Sequence, residues 1–145
     1  MTFQFLLHSL TQLHDAFLLT SFCSKGNLWS PSLLTIICAG LNSPLDDIRS
    51  LVPRYVFGEA EIRDLFDQEK QVGKEVTPVV GGELDVMTGW DGMKSATEEQ
   101  KETIRKQVDK AHEMGLVIRY SYQNRGNARE LVRKTLMEMG VDLVM

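Results

Sequence analysis

The stretch that decides the fold is TEEQKETIRKQVDKAHEMGLVIRYSYQN, residues 97–124, which predicts a capped helix, a glycine stop and a strand. Thr97 and Gln100 have the spacing of a capping box, in which each side chain hydrogen-bonds the backbone N–H of the other residue. Gly115 stands where a left-handed residue closes a helix. The apolar run that follows Gly115 predicts a buried strand.

The same order of elements recurs about 25 residues later in NARELVRKTLMEMGVDLVM, residues 127–145. Asn127 is the candidate helix cap and Gly140 the candidate stop before a last strand. The segments HEMGLVI and MEMGVDL share the tripeptide EMG, followed in each by an apolar residue, 25 residues apart. The expected buried stripe of this second helix is Leu131, Val132, Thr135, Leu136 and Met139. Helices and strands that alternate in this way predict βα units and a parallel sheet.

Further strand candidates precede these units, in the segments SLLTIICAG, RYVFGEA and EVTPVVGGE. Short helices are predicted within NSPLDDIRSLV and EIRDLFDQEKQ. The predicted strands are Leu33–Ala39, Arg54–Phe57, Val76–Val80, Leu116–Ser121 and Val141–Met145. An α/β protein of this kind is either an open doubly wound sheet or part of a (β/α)8 barrel. No GxGxxG or GxxxxGK motif follows the first strand, which disfavours the nucleotide-binding folds and favours barrel units.

The overall composition and charge limit which classes of protein this chain can belong to. The chain has 145 residues, of which 43% are apolar and 25% charged, as is typical of a soluble globular protein. We predict one domain over residues 1–145, with an N-terminal amphipathic helix and loop in residues 1–31 and βα units in residues 32–145. The formal net charge of −4 argues against general nucleic-acid binding, which needs a basic excess. No apolar run is long enough for a transmembrane helix.

The N-terminal segment MTFQFLLHSLTQLHDAFLLTSFCSKG has helical apolar spacing. It lacks a basic region before its apolar part, and His8, His14 and Asp15 interrupt that part. The segment is therefore interpreted as a core-facing helix, with a cleaved signal peptide as the alternative.

Four quoted segments carry a family resemblance: GWDG (89–92), EEQ (98–100), VDKAHEMGLVIRY (108–120) and ELVRKTLMEMGVDLVM (130–145). Together they resemble the PLC-like phosphodiesterases, relatives of the glycerophosphodiester phosphodiesterases that include the fungal "altered inheritance of mitochondria" proteins. The resemblance covers residues 16–145. It implies a partial TIM (β/α)8 barrel, about the last five of the eight βα units.

The resemblance also implies a function in lipid metabolism. The complete family barrel is a phosphoric diester hydrolase that acts on a lipid or glycerophosphodiester headgroup with a divalent cation, Mg or Ca. The family's His-Asn pair and Glu-x-Asp motif belong to its first strands, which precede the matching part, and His8, His14 and His112 match neither motif. We therefore expect a chain truncated relative to such an enzyme, with no catalytic residue of its own and no hydrolysis when it is alone.

Two alternatives remain open. One is a small α/β interaction module without catalysis, which self-associates through its open sheet edges. The other is a truncated gene product that folds poorly.

Four residues are candidates for lining a ligand pocket. Glu59 is a metal ligand, a base or a solvated loop carboxylate, and Trp90 walls a headgroup pocket or packs on its rim. Arg119 faces a phosphate or pairs with a carboxylate of a neighbouring strand. Ser121 begins the segment where the family usually continues Trp-Asp-Thr-Pro. Glu83 and Asp85 suit a divalent cation by chemistry but lack a third ligand, so no metal site is assigned.

Overall fold

The structure is a computed structural model that describes residues 21–23, 28–30, 36–38, 45–51, 54, 56–123 and 128–145. The predicted N-terminal helix and the Asn127 cap lie outside these residues. The chain divides into two compact units, Met1–Glu59 and Ala60–Met145. The prediction of one domain over residues 1–145 stays a prediction.

The first unit contains an antiparallel strand pair and a βαβ connection. β1 (Ser21–Cys23) pairs antiparallel with β2 (Leu28–Ser30), although no strand was predicted before residue 32. β3 (Ile36–Cys38) pairs in parallel with β4 (Val56–Glu61), and α1 (Leu45–Ser50) lies between them in the chain. The polar segment SKGN that separates β1 from β2 has the composition of a turn, which explains why two short strands flank it.

The buried Arg54 side chain holds the carboxyl end of α1. Its Nε donates to the carbonyl of Ile48 and its Nη2 to the carbonyl of Arg49, both at 2.8 Å. A cation at the carbonyl end of a helix is favoured because the last carbonyls lack partners within the helix. Arg54 therefore stabilises the carboxyl end of α1. The regular strand β4 begins after Arg54 and extends to Glu61.

The second unit alternates strands and helices. In chain order its elements are a 3-10 helix (Ile62–Phe66), β5 (Val79–Glu83), α2 (Leu84–Thr88), α3 (Glu98–Glu113), β6 (Val117–Ser121), α4 (Ala128–Glu138) and β7 (Leu143–Val144). β5, β6 and β7 are parallel neighbours, with Gly81 opposite Arg119 and Arg119 opposite Leu143.

Each neighbouring pair within a unit, β3 with β4 and β5 with β6 and β7, is parallel and follows the order of the chain. This order confirms an α/β protein with the five predicted strands and is compatible with part of a barrel. The third strand begins three residues later than predicted, at Val79. The N–H groups of Val76 and Thr77 bond the carbonyl of Gly73 in a turn instead, and Pro78 has no N–H to donate to a ladder.

Both helix stops in the second unit have the same geometry. Gly115 has φ 69°, and the N–H of Leu116 donates to the carbonyl of Ala111 at 2.9 Å. Gly140 has φ 86°, and the N–H of Val141 donates to the carbonyl five residues earlier at 3.1 Å. These bonds are those of a Schellman motif. The sequence repeat is therefore a repeat of two identical helix ends, each leading into a strand.

The core of the second unit lies between the strands and the helices. Its fully buried side chains include Ile62, Val80, Leu84, Ile104, Ala111, Ile118, Tyr120, Val132 and Leu136. The prediction that Leu131 belongs to the buried stripe of α4 is wrong, because its side chain is 44% exposed. Strand residues alternate in direction, so Val79, Gly81, Val117, Arg119 and Leu143 lie on the other face of the sheet. Within the described parts of the chain, no helix is long and apolar enough to cross a membrane.

Candidate functional site

A cavity of about 280 Å³ lies at the carboxyl ends of β5 and β6, and we call it the acidic cavity. It is lined by Glu83, Asp85, Trp90, Asp91, Met93, Tyr122 and Gln123. β5 ends at Glu83 and turns directly into α2, while β6 ends one residue before Tyr122. The carboxyl edge of a parallel sheet is where α/β proteins place their ligands.

The wall of the acidic cavity is held by hydrogen bonds within its loop. Trp90 is only 2% exposed, and its indole Nε1 donates to the carbonyl of Lys94 at 2.7 Å. The backbone N–H of Trp90 donates to Thr88 Oγ1 at 3.1 Å. The amide Nε2 of Gln100, at the start of α3, donates to the carbonyl of Gly89 at 2.7 Å. Trp90 is thus a fixed part of the wall.

The charge of the acidic cavity is negative. It has three carboxylates, Glu83, Asp85 and Asp91, and no Lys, Arg or His among its lining residues. Asp85 Oδ1 and Asp91 Oδ1 each accept a backbone N–H at 2.9 Å, from Val86 and Met93, which leaves oxygens of both carboxylates for a ligand. This lining attracts cations and repels anions.

Glu83 and Asp85 have the spacing Glu-x-Asp at the end of β5. The described residues nevertheless contain no group of three His, Cys, Asp or Glu side chains arranged to hold a metal ion. The divalent cation implied by the resemblance therefore does not fit the residues described.

A second cavity of about 230 Å³ lies beside β7, and we call it the arginine cavity. It is lined by Tyr122, Arg129, Glu130, Arg133, Val144 and Met145. Tyr122 lines both cavities. Its hydroxyl oxygen is buried and has no hydrogen-bond partner among the described residues.

The predicted pocket residues lie at different places. Trp90 lines the acidic cavity, whereas Glu59, Arg119 and Ser121 line neither of the two cavities. Glu59 lies inside β4, in the first unit, and not just past the strand as expected. Arg119 is the central residue of β6, where it is half-buried. Ser121 ends β6, and its Oγ donates to the carbonyl of Gly82 at 3.4 Å.

Sequence reasoning did not select Tyr122, Asp91 or Gln123 as site residues. A signal for Tyr122 was present, because Ile118 and Tyr120 are buried and the next residue of that alternation is Tyr122. Asp91 lies in a loop next to the buried Trp90, and no local residue pattern predicts that it lines the cavity.

His112, which matches neither motif of the resemblance, lies on α3 just before β6. Its Nε2 is 3.0 Å from Asp142 Oδ2, at the amino ends of β6 and β7.

Comparison with protein families, curated proteins and solved structures finds no match to this chain. What its cavities can bind follows from their own lining.

Proposed function

We propose that this chain is a headgroup-binding portion of a PLC-like phosphodiesterase TIM barrel, which recognises a lipid or glycerophosphodiester headgroup and does not hydrolyse it when alone. The observation that supports this proposal is the acidic cavity at the carboxyl ends of β5 and β6, with Trp90 in its wall. Barrel enzymes build their ligand sites at this edge from the loops that follow the strands.

The negative charge of the acidic cavity favours the amine end of such a headgroup over its phosphate. Glu83, Asp85 and Asp91 would repel a bare phosphate and attract an ammonium group. Trp90 and Tyr122 add aromatic surface, which also attracts an ammonium group. A headgroup that carries an amine, such as glycerophosphoethanolamine, therefore fits this cavity better than glycerol phosphodiesters without one.

Hydrolysis of a phosphodiester needs an acid–base pair and a group that neutralises the phosphate charge. The His-Asn pair that the resemblance assigns to the first barrel strands has no counterpart in the matching segments. The proposal therefore assigns binding to this chain and leaves bond cleavage to residues that it does not supply.

The test uses the purified full chain with glycerophosphoethanolamine in the presence of Mg²⁺ or Ca²⁺. We expect no release of glycerol 3-phosphate. We expect amide NMR shifts that concentrate at residues 83–93, and an affinity that falls about tenfold in the variant with Asp85→Asn and Asp91→Asn. Asp109→Asn removes one negative charge from the exposed face of α3 and serves as the control, with unchanged binding.

Two results would overturn this proposal. Metal-dependent hydrolysis by the chain alone would show that it carries a catalytic centre. Binding that is equally strong in the double variant and in wild type would remove the acidic cavity as the recognition site.

A second candidate function is a self-associating interaction module, and the exposed apolar side chains in β7 and directly after it favour it. Leu143 is 46% and Met145 60% exposed, and β7 is the outermost strand in the described strand order. An outer strand offers backbone groups and apolar side chains to another chain. Light scattering after size exclusion at micromolar concentration should then show a dimer that Leu143→Lys dissociates. A stable wild-type monomer would contradict this candidate.

A further inference from the structure

The hydroxyl group of Tyr122 is in an unfavourable position. Its oxygen is buried, yet it has no hydrogen-bond partner among the described residues. Buried hydroxyl groups are nearly always paired, because burial removes the hydrogen bonds that water would supply. The Tyr122 side chain lines the arginine cavity as well as the acidic cavity, and only the arginine cavity is lined by cations that would hold an anionic acceptor.

Two cations line the same cavity. Arg129 and Arg133 lie one helical turn apart on α4, and neither has an ion pair within the described residues. By contrast, Lys134 on the same helix lies 3.9 Å from the carboxylate of Glu138. The like charges of Arg129 and Arg133, four residues apart on one helix, repel each other. Glu130 also lines the cavity, and it is the single acidic side chain among the lining residues, against two arginines.

We infer that the arginine cavity is a binding site for a phosphate group, held by Arg129, Arg133 and the hydroxyl of Tyr122. The two guanidinium groups donate to phosphate oxygens, and the tyrosine hydroxyl donates to a further oxygen. Binding would relieve both unfavourable features, since the anion separates the like charges and accepts the buried O–H. This site goes beyond the proposed function, which rests on the acidic cavity.

The chemistry of the lining favours phosphate over a carboxylate. Donors from three side chains suit a tetrahedral anion with several oxygens better than a planar group with two. The cavity volume of about 230 Å³ exceeds the space that one phosphate needs, and Val144 and Met145 form an apolar part of the lining. A phosphate ester with a small organic group therefore fits as well as free phosphate.

The test measures thermal unfolding of the full chain with added inorganic phosphate or glycerol 3-phosphate, each against sodium chloride and sodium acetate at equal ionic strength. We expect either phosphate to raise the melting temperature by a few degrees at millimolar concentration, and chloride and acetate to have less effect. A larger shift with glycerol 3-phosphate would identify a phosphate ester as the ligand, and equal shifts would identify free phosphate; both results support the site.

Three variants test the residues. Tyr122→Phe should leave the stability without phosphate unchanged or higher, because it removes an unpaired hydroxyl, while phosphate affinity falls about tenfold. Arg133→Gln should weaken phosphate binding at least as much. Lys134→Gln removes one charge from the same helix outside the cavity lining, and should keep most of the phosphate effect.

Two outcomes would overturn the inference. One is a wild-type response to phosphate no larger than the response to acetate or chloride. Another is a Tyr122→Phe chain that keeps the full phosphate effect. The two proposals fail separately, because Arg133→Gln should not alter glycerophosphoethanolamine binding at the acidic cavity, and Asp85→Asn should not weaken phosphate binding.

Discussion

The carboxylate of Asp142 accepts a hydrogen bond from the backbone N–H of Ile118, with 2.9 Å between Ile118 N and Asp142 Oδ2. The same Oδ2 lies 3.0 Å from His112 Nε2. Asp142 directly precedes β7, and Ile118 is the second residue of β6. The Asp142 side chain therefore accepts the Ile118 N–H at a position where the hydrogen-bonded pairing of β6 with β7 has not yet begun. One carboxylate therefore joins the carboxyl end of α3, the start of β6 and the turn before β7.

Removal of this acceptor should destabilise the second unit. We expect Asp142→Ala to lower the free energy of unfolding by about 1–3 kcal/mol, because it leaves the Ile118 N–H without its partner. Asp142→Asn keeps an oxygen acceptor and should cost less than the alanine variant. Urea unfolding of both variants measures the difference. Equal losses would contradict the assigned role of the Ile118 N–H.

The cap of α3 also holds the loop of the acidic cavity. Gln100 Oε1 accepts the N–H of Thr97 at 2.9 Å, and Gln100 Nε2 donates to the carbonyl of Gly89 at 2.7 Å. Gln100→Glu keeps the acceptor and loses the donor, and it adds a negative charge that the helix start favours. We expect nearly unchanged global stability, with faster hydrogen exchange at Trp90.

Thr97→Ala provides the contrast to Gln100→Glu. It removes the hydroxyl that accepts the N–H of Gln100 at 3.2 Å, and should lower the free energy of unfolding by about 1 kcal/mol. Hydrogen exchange of the Trp90 indole measured by NMR separates the two effects. If Gln100→Glu exchanges at the wild-type rate, the bond to Gly89 does not hold the loop.

A buried polar chain links β6 to two helices. The hydroxyl of Tyr120 donates to the side-chain oxygen of Gln107, and Gln107 Nε2 donates to the carbonyl of Met87 at 3.1 Å. Tyr120→Phe leaves the Gln107 oxygen without its donor in a buried site, and should lower the free energy of unfolding by about 1–3 kcal/mol. Combining Tyr120→Phe with Gln107→Leu should cost less than the sum of the single losses, which a double-mutant cycle measures.

The same tyrosine makes stability depend on alkaline pH. Burial raises the pKa of the Tyr120 hydroxyl above its ordinary value. The unfolded chain loses this proton near pH ~10 while the folded chain keeps it. The stabilisation contributed by the protonated Tyr120 hydroxyl is therefore complete below that pH and is lost as the pH rises above it. We expect the wild type to lose up to about 1.4 kcal/mol per pH unit more than Tyr120→Phe above that pH. Parallel pH profiles would contradict this assignment.

The two glycine stops should respond in the same direction to substitution. Gly115 and Gly140 both have positive φ, so alanine at either position should destabilise the chain by about 1 kcal/mol. At Gly140 an added Cβ would lie 3.4 Å from Val108 Cγ1, whereas at Gly115 no atom lies within 4 Å. Gly140→Ala should therefore cost at least as much as Gly115→Ala. Asparagine at Gly115, which tolerates positive φ better, should recover part of the loss.

The local signals of the last two βα units were predicted well from the sequence. The Thr97–Gln100 cap and the Gly115 and Gly140 stops depend on residues a few positions apart, so their chemistry can be recognised without the fold. The third strand began later than predicted because Gly73 closes a turn that apolar content does not reveal. Leu131 was misplaced because helical spacing alone does not say which residues at the margin of a face reach the core.

The sequence by itself determined the alternation of parallel strands and helices, since caps, glycine stops and apolar runs act over one or two helical turns. Only the tertiary structure decided which side chains share a cavity. The burial of the Tyr122 hydroxyl, its place beside Arg133 and the bond from Ile118 to Asp142 all depend on how β6 and β7 are aligned and how α4 packs. These contacts join residues far apart in the chain, and their geometry follows from packing and strand register that local residue patterns do not encode.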